Sequence, residues 1–244
     1  MLVNPAQVKA LQGRKSDQRD GKRIAEFLQD GRLDASFVPP PQIRQLRQML
    51  RHRISLLEQR NEVHYHIRDL FETASLKLSS VLSDLLGVRG RRIIEAMIAG
   101  QDSPELLSWR VRGKLRKKEK QVPESLKGYF TEFHRLMLKA HYEHYQFLSE
   151  QIKTFETHIA QSMQPYAEQV EALMGIPGVD QLVAWHLIAE MGVDMSVLPD
   201  ADHCASWAGL SPGTCESAGK QLSGRTKKGN KYLRRILTQA AWAV

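Results

Sequence analysis

Two cysteines in 244 residues, Cys204 and Cys215, are too few for a disulfide framework. Neither has metal-ligand spacing. Long apolar runs are missing as well: none approaches the roughly 20 residues that a membrane-spanning helix needs. The opening MLVNPAQVKALQGRK lacks the apolar stretch of a secretory signal. The sequence contains no internal repeat. These absences point away from a disulfide-stapled secreted domain, a membrane protein and a solenoid. They lead us to expect a reducing, cytoplasmic compartment and no membrane partner.

Positive charge is what the chain has in excess. The formal net charge is +8 and the pI is about 9.5. Such a balance favours a polyanionic partner, nucleic acid first and an acidic membrane surface second. The cations cluster in Arg89–Arg92, Arg110–Lys120 and Arg225–Arg235.

Helical patterning dominates. Ile24, Ala25 and Leu28 form a short apolar face that Gly31 stops. Phe37-Val-Pro-Pro-Pro41 reads as an extended connector, because each proline drives its predecessor out of the α region. From Gln42, Ile43, Leu46, Leu50, Ile54, Leu57, Ile67 and Leu70 recur at three- and four-residue steps, as in a coiled-coil-like helix. A shorter helical section over 76–108 is expected to break at Gly87, Gly90 and Gly100. A second long helix, about Ser125 to Ala172, carries Leu126, Phe130, Phe133, Leu136, Leu138, Phe147, Leu148, Ile152, Phe155, Ile159 and Met163. Two such helices suggest an antiparallel hairpin or an intermolecular bundle. Histidines crowd these helices, among them His64, His66, His134, His141, His144 and His158. No carboxylate completes a ligand set around His141 and His144, so they read as solvated or interface groups rather than a metal site.

The fold class read from this pattern is mainly α. The expected divisions are residues 1–40, a long-helix region at 41–172 with a basic connector near 110–123, and a small helical domain at 173–244.

Three constellations have chemical potential, each with an ordinary alternative. Leu173 to Gly192 reads as helix, Gly-Ile-Pro-Gly turn, helix. That is similar to a helix-hairpin-helix, whose turn amides, here around Gly178, bind phosphate; the alternative is a plain αα-corner. Asp180 caps the second helix but would repel a phosphate. Ser217 stands in a Gly/Ala-rich stretch and is followed by Lys220, Arg225, Lys227, Lys228, Lys231, Arg234 and Arg235. It is either a turn residue in a phosphate-binding loop or a nucleophile set among cations that hold a phosphodiester. Asp17 and Asp20 are i, i+3. They are either the acidic first turn of a helix or a pair of carboxylates for Mg²⁺.

Lys15-Ser-Asp-Gln-Arg-Asp20, Phe37-Val-Pro-Pro40, Ile176-Pro-Gly-Val179, Trp207-Ala-Gly-Leu-Ser-Pro212, Glu216-Ser-Ala-Gly-Lys220 and Ser223-Gly-Arg-Thr-Lys-Lys-Gly-Asn230 occur in that order. The set resembles the IS110 family of insertion-sequence transposases over nearly the whole chain. The resemblance implies DNA cutting and rejoining, a RuvC-like domain with an Asp-Glu-Asp-Asp metal site, a coiled-coil section and a C-terminal domain bearing a catalytic serine. It implies Mg²⁺ as cofactor, DNA and a guide noncoding RNA as partners, and a homo-oligomer. Asp17 and Asp20 match the last two acids of the tetrad and Ser217 the serine. The first two acids would lie upstream of Met1. The chain is therefore expected to be truncated at both ends, with residues 1–40 the remnant of the α/β RuvC-like domain. The runner-up is a non-catalytic nucleic-acid-binding scaffold.

Overall fold

The computed structural model describes residue 3 and residues 17–33, 38–101, 103, 124–212, 215–217, 220–223, 226 and 228–244, with backbone alone for 17–20, 23, 215–217 and 220–223. The described residues are mainly helical: α1 (Asp17–Gln29), α2 (Pro41–Thr73), α3 (Leu78–Val81), α4 (Val88–Ile98), α5 (Glu132–Met163), α6 (Ala167–Met174), α7 (Gln181–Met191), α8 (Ala201–Ala208) and α9 (Lys231–Trp242). The two strands, β1 (Cys215–Ser217) and β2 (Lys220–Ser223), pair with each other. No helix among the described residues is long and apolar enough to cross a membrane.

The chain divides into two compact units. One is Gln48–Gln164, and the other joins Met1–Arg47 with Pro165–Val244. The boundary between them falls inside α2, after Arg47.

In the 48–164 unit, α2 and α5 run antiparallel. His52 meets Phe155, Arg53 donates from Nε to Glu156 Oε1 at 2.8 Å, Arg60 lies over Tyr145, and His66 meets His141. From positions 52–53 to 60 and 66 on α2, the partners on α5 move back from 155–156 to 145 and 141. The core is Ile67, Phe71, Leu76, Leu78, Ile93, Ile94, Met97, Leu138, Tyr142, Leu148 and Ile152. Tyr142 donates to Glu95 Oε1 at 2.7 Å. Burial first, then the Glu95 carboxylate, raise the phenol's pKa and keep it protonated.

Several boundaries differ from the sequence reading. Pro41 belongs to the helix rather than the connector, at the first position, where a missing N–H costs nothing. Gly90 does not break α4 but lies inside it, buried against the Leu85 carbonyl. The second long helix starts later and stops sooner than expected. Thr131 caps its start and shares a capping box with His134. At its end, Pro165 lies in a 3₁₀ turn over 164–166 that separates α5 from α6.

His141 is half-buried on α5. Burial first, then the positive charges that His66 and His144 would bring, lower its pKa below the ordinary 6.5. Below about pH 6.5 the unfolded chain takes up a proton that the folded unit refuses, so stability falls on acidification through that window. Denaturant unfolding of the helical signal between pH 8 and 5 should show this loss, and His141→Gln should flatten it.

Candidate nucleic-acid interface

The unit containing residues 165–244 is built around α7, Gln-Leu-Val-Ala-Trp-His-Leu-Ile-Ala-Glu-Met, which is apolar on nearly every side. Leu187, Ala208, Leu233 and Ile236 form the centre of its core, with Leu173, Val179, Val183, Trp207 and Leu237 around them. Ala184 and Ala189 are fully buried, and their small size lets neighbouring helices approach α7 closely.

The Gly175-Ile-Pro-Gly178 turn joins α6 to α7. Val179 N–H donates to Ile176 O at 3.1 Å, and Asp180 caps α7 by accepting from Val183 N–H at 2.8 Å. Gly178 has φ +81, and a Cβ there would stand 2.3 Å from Ala240 O. The turn therefore packs on the C-terminal end of α9, and Gly178 is required by both its conformation and its neighbour. Gly178→Ala should cost about 1–3 kcal/mol. Tryptophan fluorescence during denaturation checks it, since Trp185, Trp207 and Trp242 all lie in this unit.

Ser217 is the last residue of β1. Its register partner is Lys220, the first residue of β2, and only Ala218 and Gly219 separate them. A bulge follows Cys215, which pairs with Ser223, while Glu216 pairs with Gln221. The sequence left a turn residue and a nucleophile open here; the backbone places the serine at the end of a short ladder.

Below the hairpin the chain is closed by several ties. Pro212 bridges Thr226, and Asn230 N–H donates to Trp207 O at 2.8 Å. Arg234 Nη2 donates to Gly209 O and, at 3.0 Å, to Thr226 Oγ1. Gly229 presses so closely that a Cβ would stand 2.3 Å from Gly209 N and 2.6 Å from Trp207 O.

The expected cations divide by position. Lys228, Lys231 and Arg235 are exposed. Arg234 is engaged with the loop it follows. Lys220 is placed by its backbone in the ladder, and Arg225 and Lys227 lie outside the described residues. Residues 154–219 contain no Lys or Arg, whereas 220–244 contain seven and no Asp or Glu. The positive charge of this part of the chain therefore begins at the hairpin's second strand and runs on into α9. Burial pushes the Cys204 thiol's pKa up, which keeps it uncharged and a poor nucleophile at neutral pH.

Asp17 and Asp20 stand three residues apart in the first turn of α1, and their side chains lie outside the described atoms. Among the described residues, no group of three or more His, Cys, Asp and Glu is arranged to hold a metal ion.

Sequence reasoning missed Glu190. It lies in the last turn of α7, only 1% exposed. Arg47 of α2 lies across it, with Nε 3.5 Å from Glu190 Oε2. The same guanidinium donates to Ala189 O and Glu190 O, each at 2.9 Å. On the other side, Asn230 Nδ2 donates to Glu190 Oε2 at 2.6 Å. Asn230 Oδ1 in turn accepts from Tyr232 N–H at 3.0 Å and Leu233 N–H at 3.2 Å, capping α9. A signal did exist: a carboxylate in the last turn of an apolar helix opposes the helix dipole and calls for a cation. The partner, 143 positions away, could not be read from it.

Comparison with known proteins places these elements. A family model described as "Transposase IS116/IS110/IS902 family" matches residues 170–244. The DEDD transposase model of the IS110 group, described as "Transposase", matches residues 1–75. A curated relative, the transposase for insertion sequence element IS1328 of Yersinia enterocolitica, is 35% identical over 108 residues. That match covers 44% of this chain and 31% of the relative, so the chain spans about a third of the curated relative it matches.

Proposed function

We propose that this chain, which belongs to the IS116/IS110/IS902 family of transposases, acts on DNA as a recombinase whose nucleophile is Ser217. The observation that carries the reading is the register of the hairpin. It sets Ser217 directly across from Lys220, at the point where the chain passes from a stretch free of cations into one that holds seven.

The chemistry follows from that placement. Ser217 Oγ attacks the phosphorus of a DNA phosphodiester, a serine–phosphate ester forms, and the bond to one sugar oxygen breaks, releasing a hydroxyl end. A hydroxyl end from a second strand then attacks the same phosphorus and frees the serine, so phosphodiesters are exchanged without hydrolysis. Lys220 supplies positive charge where negative charge builds on the phosphoryl oxygens. Lys228, Lys231 and Arg235 hold the flanking phosphates.

A divalent metal, used in general by DEDD transposases, would be Mg²⁺ here and would supply Lewis-acid polarisation of a phosphoryl oxygen. Asp17 and Asp20 would contribute to holding it. Two carboxylate-bearing residues are hard oxygen donors of the kind Mg²⁺ takes. A guide noncoding RNA and a second copy of the chain complete the proposed assembly, in a cytoplasmic setting.

Binding to a DNA duplex tests the polyanion part of this reading. Affinity should fall steeply with salt, and Lys231→Ala and Arg235→Ala should each reduce the log–log slope by about 1. A flat salt response would rule out nucleic acid as the partner.

A further inference from the structure

The geometry points to Glu190 as a positioning residue. Acting through Asn230, its buried carboxylate fixes where the Ser217 hairpin and the basic segment leave and re-enter the core. This deepens the serine-recombinase reading and rests on it for its consequence in DNA binding.

An isolated two-stranded hairpin is marginally stable in water, so a ladder with strands of three and four residues needs anchoring from outside. The structure supplies that anchor at the segment's far end. Asn230 is the residue through which the loop joins α9, and every polar part of it is committed. Its N–H goes to Trp207 O, its Oδ1 to the first amides of α9, and its Nδ2 to Glu190. The first two would satisfy a helix start anywhere. The third ties that start to one buried point on α7.

A carboxylate is an expensive group to place there. It is desolvated and stands at the negative end of a helix. Arg47 offsets this by meeting both the carboxylate and the α7 carbonyls that lack helical partners. A glutamine or leucine at position 190 would have avoided the cost; the carboxylate makes the 2.6 Å bond from Asn230 a charge-assisted one. The neighbours sharpen the point. Gly229 is pressed against the Gly209 backbone, and Arg234, one turn into α9, reaches back to Gly209 O and Thr226. A shift of Asn230 would carry all of these with it, and the exposed cations Lys228 and Lys231 on either side.

The test separates anchoring from capping. Asn230→Asp keeps the capping oxygen but removes the donor and sets a second carboxylate against Glu190. Amide hydrogen exchange over 207–235 should quicken about tenfold or more, while the α7 amides of residues 184–188 keep their protection. The double variant Glu190→Gln/Asn230→Asp reverses the donor and acceptor, and should return the exchange of 207–235 to within about threefold of the original. Three results would each overturn the assignment: unchanged exchange in Asn230→Asp, an equal rise in α7, or no recovery in the double variant. Affinity for a random DNA duplex, measured on the same proteins, should fall and recover in step. A local exchange change with recovery but with constant DNA affinity would leave the anchor standing and overturn the DNA role of the hairpin.

Discussion

Ser217→Ala is expected to lower DNA strand cutting and rejoining by at least about a thousandfold, with DNA affinity and unfolding unchanged. Loss of a covalent nucleophile removes the reaction path rather than a fraction of binding, and such losses in serine enzymes reach about a millionfold. The substitution is sterically mild, since alanine fits any backbone serine adopts, and Ser217 pairs in the ladder through its backbone. The cations beyond it are untouched, so the salt dependence of binding should be that of the original. The measurement is recombination in a cell supplying the element's ends and its RNA, beside duplex binding in vitro. Equal recombination by Ser217→Ala would remove the nucleophile assignment and leave a non-catalytic scaffold that binds nucleic acid.

Arg47→Ala is expected to have the largest effect on stability, about 3–5 kcal/mol, because it takes the guanidinium away from the buried Glu190 carboxylate. Arg47 also satisfies two carbonyls at the end of α7, and those lose their donors at the same time. The midpoint of thermal unfolding should fall by on the order of 10 °C, read by tryptophan fluorescence, which reports mainly on the unit holding Trp185, Trp207 and Trp242. Arg47→Lys retains the charge but not the fork that reaches carboxylate and carbonyls together, so it should lie between. Adding Glu190→Gln to Arg47→Ala removes the buried charge while keeping an acceptor for Asn230, and should restore a substantial part of the loss. A change below about 1 kcal/mol in Arg47→Ala would contradict the buried-pair account.

The helices were legible because their apolar spacing follows burial. Ile43, Leu46, Leu50 and Ile54 recur on one face of α2 and are all buried. On α5 the same rule separates what a list of apolar residues merges. Leu138, Leu148, Ile152, Ile159 and Met163 lie on the buried seam, whereas Phe133, Leu136 and Phe147 are exposed at 64%, 67% and 59%. At 100° per residue, Leu136 and Phe147 share a face, and that face turns away from Leu138. The antiparallel pairing of α2 and α5, one of two arrangements open from sequence, depends on cross-chain partners such as Arg53 and Glu156, which no local pattern announces.

The candidate site was read from the order and chemistry of its residues, not from any structural pattern. Order and chemistry singled out Ser217 and the cations after it. The ladder that sets Ser217 against Lys220 has strands of three and four residues, too short to show an alternating pattern. The Glu190 anchor joins three helices from distant parts of the sequence, and only its misplacement at a helix end hinted at it. Gly178 was read for phosphate contact, while its positive φ and the Ala240 carbonyl beside it also supply a packing reason for glycine at that position.

The most direct test of the account is to trap the protein on DNA. A labelled duplex carrying the element's end, nicked so that the released strand diffuses away, is incubated with the protein and separated under denaturing conditions. The account predicts a covalent protein–DNA species that maps to the peptide containing Ser217 and is absent from Ser217→Ala. Strand cutting without such a species, or an adduct that persists in Ser217→Ala, would contradict it.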